Sequence, residues 1–420
     1  MHPNALLDLA TELLRGLLRF DEPADAVISA FFRRHRALGP RERHALAETA
    51  YAVLRRRLLW QHLAQSGQGA LERRLALLAW QGDAAPLARV LGPNEKAWLE
   101  QVLAIDPVGL PEKLRHNLPD WLAVALKRER PEEFDALAAA LNEPAPLDLR
   151  VNALKAKREA ARAALAEAGI AAEPTPFSPW GLRVQGKPAL QKAAPFVAGE
   201  VEVQDEGSQL LALLTGAHRG EMVVDFCAGA GGKTLALGAA MRNTGRLYAF
   251  DVSGHRLDAL KPRLARSGLS NVYPARIAHE RDERIKRLAG KIQRVLVDAP
   301  CSGLGTLRRN PDLKWRQSPQ DVAELRQRQQ AILASAARLL APGGRLVYAT
   351  CSLLRDENEA VAEAFETDAG REWVRVPAAE ALAAAHVDRA AELVEGDFLR
   401  LWPHRHGTDG FFAAVWQRRT

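Results

Sequence analysis

Apolar positions near the start of the chain recur at three- and four-residue intervals, as in Leu6, Leu7, Ala10, Leu13, Leu14 and Leu17. That spacing places them on one face of a helix. Ala and Leu carry the pattern to about residue 105, so 1–105 is expected to be an all-α domain. Prolines 107, 111, 131, 144 and 146 punctuate a helical connector over 106–145. From 146 to 206 the period shortens: strands are expected at Leu147–Asn152, Gly181–Val184 and Glu200–Gln204 around a helix at Arg158–Ala168, a small α/β module. From 207 to 420 strands alternate with long helices, the signature of a doubly wound parallel sheet. Its strands are expected at Met222–Phe226, Arg246–Phe250, Val272–Arg276, Arg294–Val297 and Arg345–Thr350, the last launched by a Pro342-Gly343-Gly344 turn. Phe398–Trp402 and Gly410–Trp416 read as an antiparallel pair at the sheet edge.

Composition narrows the class. With 420 residues, 47% hydrophobic and 26% charged, the chain is globular, which excludes disordered and collagen-like proteins. No apolar run is long enough to span a membrane, and Asp8 and Glu12 interrupt the N-terminal pattern, so no secretion signal is expected there. The 3 cysteines form no CxxC pair, and His404 and His406 have no acid or cysteine at ligand spacing. A cytoplasmic monomer with neither membrane nor metal partner is expected. The net charge of +7 leans toward an anionic partner. Residues 255–294 hold 11 Lys or Arg against 4 Asp or Glu, and Arg308, Arg309 and Lys314 follow Cys301 closely. Those cations fit phosphate contacts and salt-sensitive binding, with a solvated helix face an equal reading of 255–294; the clusters Arg33-Arg34-His35-Arg36 and Arg55-Arg56-Arg57 could also touch phosphate, but a solvated helix face explains them better.

In an open α/β sheet the ligand sits beyond the carboxyl ends of the strands. There the chain places Asp225 followed by the loop Phe226-Cys227-Ala228-Gly229-Ala230-Gly231-Gly232-Lys233-Thr234, then Asp251, then Asp298-Ala299-Pro300-Cys301, then Cys351. All three cysteines fall at strand ends. A glycine-rich strand-to-helix loop lets backbone approach a ligand, and an acid after the next strand suits ribose hydroxyls, so together they describe a nucleoside cofactor. The loop lacks the dehydrogenase pattern GxGxxG and the phosphate-loop pattern GxxxxGK[ST]. Cys301 and Cys351 then supply thiols to the same crevice. A thiolate that adds to carbon 6 of a pyrimidine makes carbon 5 nucleophilic toward a methyl group, and a carboxyl group at the ring edge stabilises the developing charge. A second thiol then has a role in releasing the product. The residues alone leave open which cysteine attacks.

Through these strings the chain resembles the RsmB/Sun family of S-adenosylmethionine-dependent RNA cytosine-5 methyltransferases, and within it the bacterial ribosomal RNA enzymes. The matching segments are Val203-Gln204-Asp205 with Ser208-Gln209, DFCAGAGGKT at 225–234, DAPCSGLGTLRRNPDLKW at 298–315, YATCS at 348–352 with Glu357-Asn358-Glu359, and Asp409-Gly410-Phe411-Phe412. The resemblance implies a Rossmann-like catalytic domain over 207–420, an RRM-like module over 146–206 and a NusB-like helical domain over 1–105. It implies Cys351 as nucleophile, Cys301 as the residue that assists release, and Asp298 against the cytosine. It places S-adenosylmethionine on Cys227, Ala228, Gly229, Ala230, Gly231, Gly232, Lys233, Asp251, Arg256 and Asp298, with Lys233 also reaching the base. Two features depart from the family. Gly229-Ala230 stands where an Ala-Pro pair is common, and no Asp follows the third strand to meet the adenine, leaving Glu280 and Asp282 as substitutes. The target base in folded RNA must be turned out of its stack. The expected partner is ribosomal RNA. Transfer RNA is the alternative substrate, and an RNA-binding ribosome-assembly factor with dispensable catalysis is the alternative class.

Overall fold

The computed structural model describes all residues from Met1 to Thr420, which form two compact units: Met1–Pro144 with Thr306–Ser318, and Ala145–Gly305 with Pro319–Thr420. The first unit is helical. Its opening helix, Pro3–Leu17, begins on a proline whose missing N–H would be unpaired in any case, and it buries Leu7, Ala10, Leu13, Leu14 and Leu17 against helices Pro40–Arg55 and Leu71–Leu78.

This division departs from the expected boundaries in two places. The proline-marked connector is stitched into the helical unit, where the side chain of Asn117 accepts a 3.0 Å bond from the Leu59 N–H. Residues 306–318, expected in the catalytic domain, also fold with the helices. There Lys314 is 1% exposed and its Nζ donates to the Arg55 carbonyl at 2.7 Å and to Asn142 Oδ1 at 2.8 Å, while Trp315 Nε1 donates to the Leu54 carbonyl at 2.8 Å. Lys314 is therefore not a phosphate contact but an internal tether. Arg55 is used similarly, donating to the Arg308 carbonyl, and Arg57 covers the rings of Phe20 and Trp315.

The second unit starts with a four-stranded antiparallel sheet of β1 (Leu147–Val151), β2 (Ala172–Pro174), β3 (Gly181–Val184) and β4 (Val201–Val203), in the order β2-β3-β1-β4. With helices Arg158–Glu167 and Ala194–Val197 between them, this is the βαββαβ ferredoxin-like arrangement. Leu149, Val151 and Leu182 pack on Ala161 and Leu165 of the longer helix.

The large sheet contains β5 (Met222–Asp225), β6 (Arg246–Asp251), β7 (Val272–Arg276), β8 (Ile292–Asp298), β9 (Leu340–Thr350), β10 (Trp373–Val376), β11 (Val394–Glu395), β12 (Phe398–Leu401) and β13 (Phe411–Arg418). Its order is β7-β6-β5-β8-β9-β13-β12-β11, with β10 also on β13; β5 to β9 run parallel and the rest pair antiparallel. Successive residues enter opposite cores: Val347, Ala349, Ala413 and Val415 face one layer, and Leu346, Tyr348, Phe412 and Trp416 the other. A strand buried on both faces reads as continuously apolar, as these do. Two expectations are corrected. Pro342-Gly343-Gly344 does not launch β9 but lies within it as a bulge, where pairing steps from Ile292–Leu340 to Arg294–Arg345. β13 is not at the edge, because β9 flanks it on one side and β12 and β10 on the other. The chain leaves β5 toward β6 and β7, then returns to β8 on the far side of β5, which opens a crevice above those carboxyl ends.

Candidate active site at the carboxyl ends of the parallel strands

A cavity of about 750 Å³ occupies that crevice. Its wall takes in Cys227, Ala228, Gly229, Ala230, Gly232, Lys233, Asp251, Arg256, Asp298, Cys301 and Cys351, so nearly every residue singled out from the sequence meets there. Gly231 instead turns behind the loop in the left-handed region and caps the helix Gly232–Ala240, which has no side-chain cap on its free N–H groups.

The loop after β5 is held from below. The Ala228 N–H donates to the Phe250 carbonyl, and the Gly229 N–H to Asp251 Oδ2, both at 2.8 Å. Asp251 Oδ1 accepts from the Ser253 N–H at 2.7 Å. Asp251 thus fixes the loop while lining the cavity. Asp225, at the root of the loop, is fully buried; its Oδ2 accepts from Thr234 Oγ1 at 2.6 Å, its Oδ1 has no partner, and burial raises its pKa to about 7.

The two catalytic candidates sit together. Cys301 Sγ and Cys351 Sγ are 3.4 Å apart, and the Cys351 N–H donates to Cys301 Sγ at 3.3 Å. The loops that carry them are pressed into contact at Gly305, whose N–H donates to the Cys351 carbonyl at 2.8 Å. A Cβ there would lie 2.1 Å from the Gly410 carbonyl, so only glycine fits. Beneath both loops lies Glu357, fully buried. It accepts from the Ser302 N–H at 2.8 Å, Ser302 Oγ at 2.5 Å, Gln329 Nε2 at 3.0 Å and Ser352 Oγ. Ser302 and Ser352 each follow a cysteine, so one carboxylate sets the spacing of both thiols.

Lys233 Nζ bonds Asp298 Oδ2 at 2.7 Å; burial opposes its charge, but Asp298 and Cys351 outweigh burial and raise its pKa. Cys301 is pushed well above the ordinary thiol value, first by its hydrogen bond to Cys351 and then by burial. Lys233 and both cysteines line the same cavity, which puts a cation within reach of the thiol pair.

Some residues fall elsewhere or were not anticipated. Asp282 is no adenine ligand: it accepts from the N–H groups of Ala278 and Arg284 and caps the helix Glu283–Lys286, leaving Glu280 on the cavity wall. Much of the positive charge of 255–294 is paired, with Arg263 and Arg266 on Glu202, Arg294 on Glu221 and Lys286 on Glu283. Arg328 and Ile332, from the helix Pro319–Ala337, complete the wall without any motif to announce them.

The sheet order, the glycine loop and the acid that ends β6 define the class of Rossmann-like methyltransferases, here with a thiol pair in the crevice. Residues 212–417 match the family described as 16S rRNA methyltransferase RsmB/F, and 118–191 match the ferredoxin-like domain of RsmF/B-like methyltransferases. The ribosomal RNA small subunit methyltransferase B of Pseudomonas putida is 36% identical over 310 residues, covering 74% of this chain and 67% of that protein. A Mycobacterium tuberculosis protein named only as a methyltransferase is 35% identical over 430 aligned positions, 98% of this chain and 88% of that one. Among solved structures, PH0851 superposes with a TM-score of 0.80 at 26% identity over 100% of this chain and 99% of that one; a methyltransferase homolog from Pyrococcus horikoshii gives 0.62 at 28%, covering 75% and 100%. The chain belongs to the RsmB/F methyltransferase family, whose cofactor is S-adenosylmethionine.

The residues present fit that cofactor. Gly229 has φ +56° and no atom within 4 Å of where a Cβ would stand, so its face toward the cavity is open. The free N–H groups of the helix Gly232–Ala240 and the carboxylate of Asp251 offer donors and acceptors on the same wall.

Proposed function

We propose that the protein methylates carbon 5 of a cytosine in small-subunit ribosomal RNA through a covalent adduct on Cys351, and that it does so in the cytoplasm. The observation that carries this reading is the thiol pair, with Sγ atoms 3.4 Å apart, on the wall of the same cavity as the Lys233–Asp298 ion pair. S-adenosylmethionine supplies an electrophilic methyl group when bound, against the loop 227–233 with Asp251 and Arg256. The Cys351 thiolate, favoured by the nearby Lys233 ammonium, adds to carbon 6 and moves electron density to carbon 5. Asp298, oriented by Lys233, meets the polar edge of the ring and stabilises charge as the thiolate adds. Once carbon 5 is methylated, its proton must leave as the carbon 6–sulfur bond breaks. Cys301, in contact with Cys351 and deprotonated at that stage, accepts the carbon 5 proton while Cys351 departs as the thiolate. The helical unit and the ferredoxin-like module supply further surface for the RNA.

The names of the relatives favour ribosomal RNA over transfer RNA. The test is incubation of the protein with S-adenosylmethionine and, separately, protein-free 16S ribosomal RNA, assembled small subunits and bulk transfer RNA, followed by mass spectrometry of the nucleosides. New 5-methylcytidine in either ribosomal sample is expected. Methylation confined to transfer RNA, or at another atom, would overturn the proposal.

A further inference from the structure

A second concavity lies at the opposite end of the large sheet. It encloses about 410 Å³ and is lined by Trp180, Arg242, His218, Arg294 and Arg345. Arg294 and Arg345 are register partners, Arg294 two residues into β8 and Arg345 where β9 resumes pairing after its bulge. From Arg345 to Cys351 the chain climbs roughly 20 Å at ~3.3 Å per residue, so this groove is separate from the catalytic crevice. Its lining is otherwise largely apolar, with alanines such as Ala212, Ala239 and Ala381.

Next to it, a second hollow of about 440 Å³ shares Ala153, Pro179, Trp180 and Arg242 and adds Lys155, Lys157 and Arg158. Neither hollow is lined by an Asp or Glu. Trp180 is half-buried at the point they share. The positive charge is left largely unneutralised because these side chains bond mainly to neutral groups: Arg242 to the Ala153 carbonyl at 2.8 Å, Lys155 to the carbonyls of Ala198 and Arg266 at 2.6 and 2.7 Å. Arg345 donates to the Leu214 carbonyl at 3.3 Å and has a buried Nε with no acceptor. The carboxylates close by are Glu221, 3.1 Å from Arg294, and Glu159, 3.7 Å from Arg158. An aromatic face with an apolar lining, bordered by cations, has the chemistry of a nucleotide site: stacking for the base and charge for the phosphate. Two such hollows in line, joined at the aromatic ring, offer phosphate partners beyond what one mononucleotide can use.

We propose that this double hollow is a second RNA-binding site, which holds a single-stranded segment with a base against Trp180 and its phosphates along Lys157, Arg242 and Arg345. The proposal rests on the reading that RNA is the substrate. It would anchor a large RNA at the end of the sheet away from the chemistry, and so favour long or folded RNA over short fragments.

The test uses the full-length protein and a fluorescein-labelled uridine 12-mer, read by anisotropy between 50 and 200 mM salt. The probe contains no cytosine, so its binding is independent of methyl transfer: a chain that binds it normally but methylates nothing refutes the active-site reading alone. Trp180→Ala is expected to weaken binding about tenfold. The double variant Lys157→Ala/Arg242→Ala changes two exposed side chains and keeps the test alive if Trp180→Ala misfolds. It should flatten the slope of log K against log salt by about 1.4, or ~0.7 for each phosphate no longer neutralised. Neither variant should alter kcat on a saturating short cytosine oligonucleotide. Wild-type affinity and slope in both variants would overturn the proposal. So would displacement of the 12-mer by uridine monophosphate as readily as by unlabelled 12-mer, which would make the hollow a mononucleotide site.

Discussion

Lys233 and Lys314 are both enclosed, at 11% and 1% exposure, and they behave in opposite ways. Lys233 has a carboxylate within 2.7 Å, and its pKa is raised despite burial. Lys314 has a carbonyl and an amide oxygen; burial, followed by the charges of Arg55 and Arg56, forces its pKa well below the ordinary value. A buried ammonium with an anionic partner stays charged and can act on a neighbouring thiol. One with neutral acceptors is a tether whose charge works against folding. Both stand in sequence strings that look like chemistry, yet Lys233 lines the cavity and Lys314 is a tether inside the helical unit.

The largest effect should come from removing the thiol proposed as the nucleophile. Cys351→Ala is expected to lower methyl transfer by at least about 10⁴-fold, measured as methyl incorporation into RNA, with cofactor affinity retained. Lys233→Met should cost about 10²–10³ in kcat/KM, the usual loss when one electrostatic contact to the reacting group is deleted. Lys314→Met should leave kcat within about twofold; an equal loss in the two lysine variants would erase the contrast between them.

Glu357→Gln tests how the thiols are spaced. Four donors converge on its carboxylate, so the variant should lose about 1–3 kcal/mol of stability by denaturant titration. It should also slow adduct formation about tenfold and weaken capture of the cysteine pair by a dithiol-specific arsenical. Lost stability with unchanged arsenical capture would reduce Glu357 to a packing role.

The smallest effect concerns pH. In the unfolded chain Lys314 titrates near 10.5, and in the folded protein well below it, so the unfolded state holds the proton more tightly. Stability should therefore rise with pH from the lowered value up to about 10.5, and fall as pH drops through that window. Denaturation at pH 7 and pH 10 should show the protein more stable at pH 10, a gain absent in Lys314→Met.

Four of the five parallel strands were legible because they are largely buried and read as apolar runs that end at Asp225, Asp251 and Asp298 or just before Cys351, whereas β7 is exposed over most of its length. The meeting of those ends in one cavity follows from strand order, which the alternation of strand and helix implies. What stayed hidden depends on partners distant in sequence. Lys314 could not be told from a phosphate ligand without knowing that Arg55 and Asn142 would surround it. Asp282 caps its own helix, a local bond that competes with any ligand role. β10 and β11 are 4 and 2 residues long and form only because β13 and β12 lie beside them. Pro342-Gly343-Gly344 reads as a turn because its residues suit one, and only the register with β8 makes it a bulge.

The central claim is that the two thiols in contact have different tasks, attack by Cys351 and release through Cys301. The most direct measurement is a denaturing gel of Cys301→Ala and Cys351→Ala, each incubated with S-adenosylmethionine and ribosomal RNA. A denaturant-resistant protein–RNA band is expected for Cys301→Ala, where the adduct forms but cannot leave, and none for Cys351→Ala. A band for Cys351→Ala and none for Cys301→Ala would reverse the assignment and contradict the account.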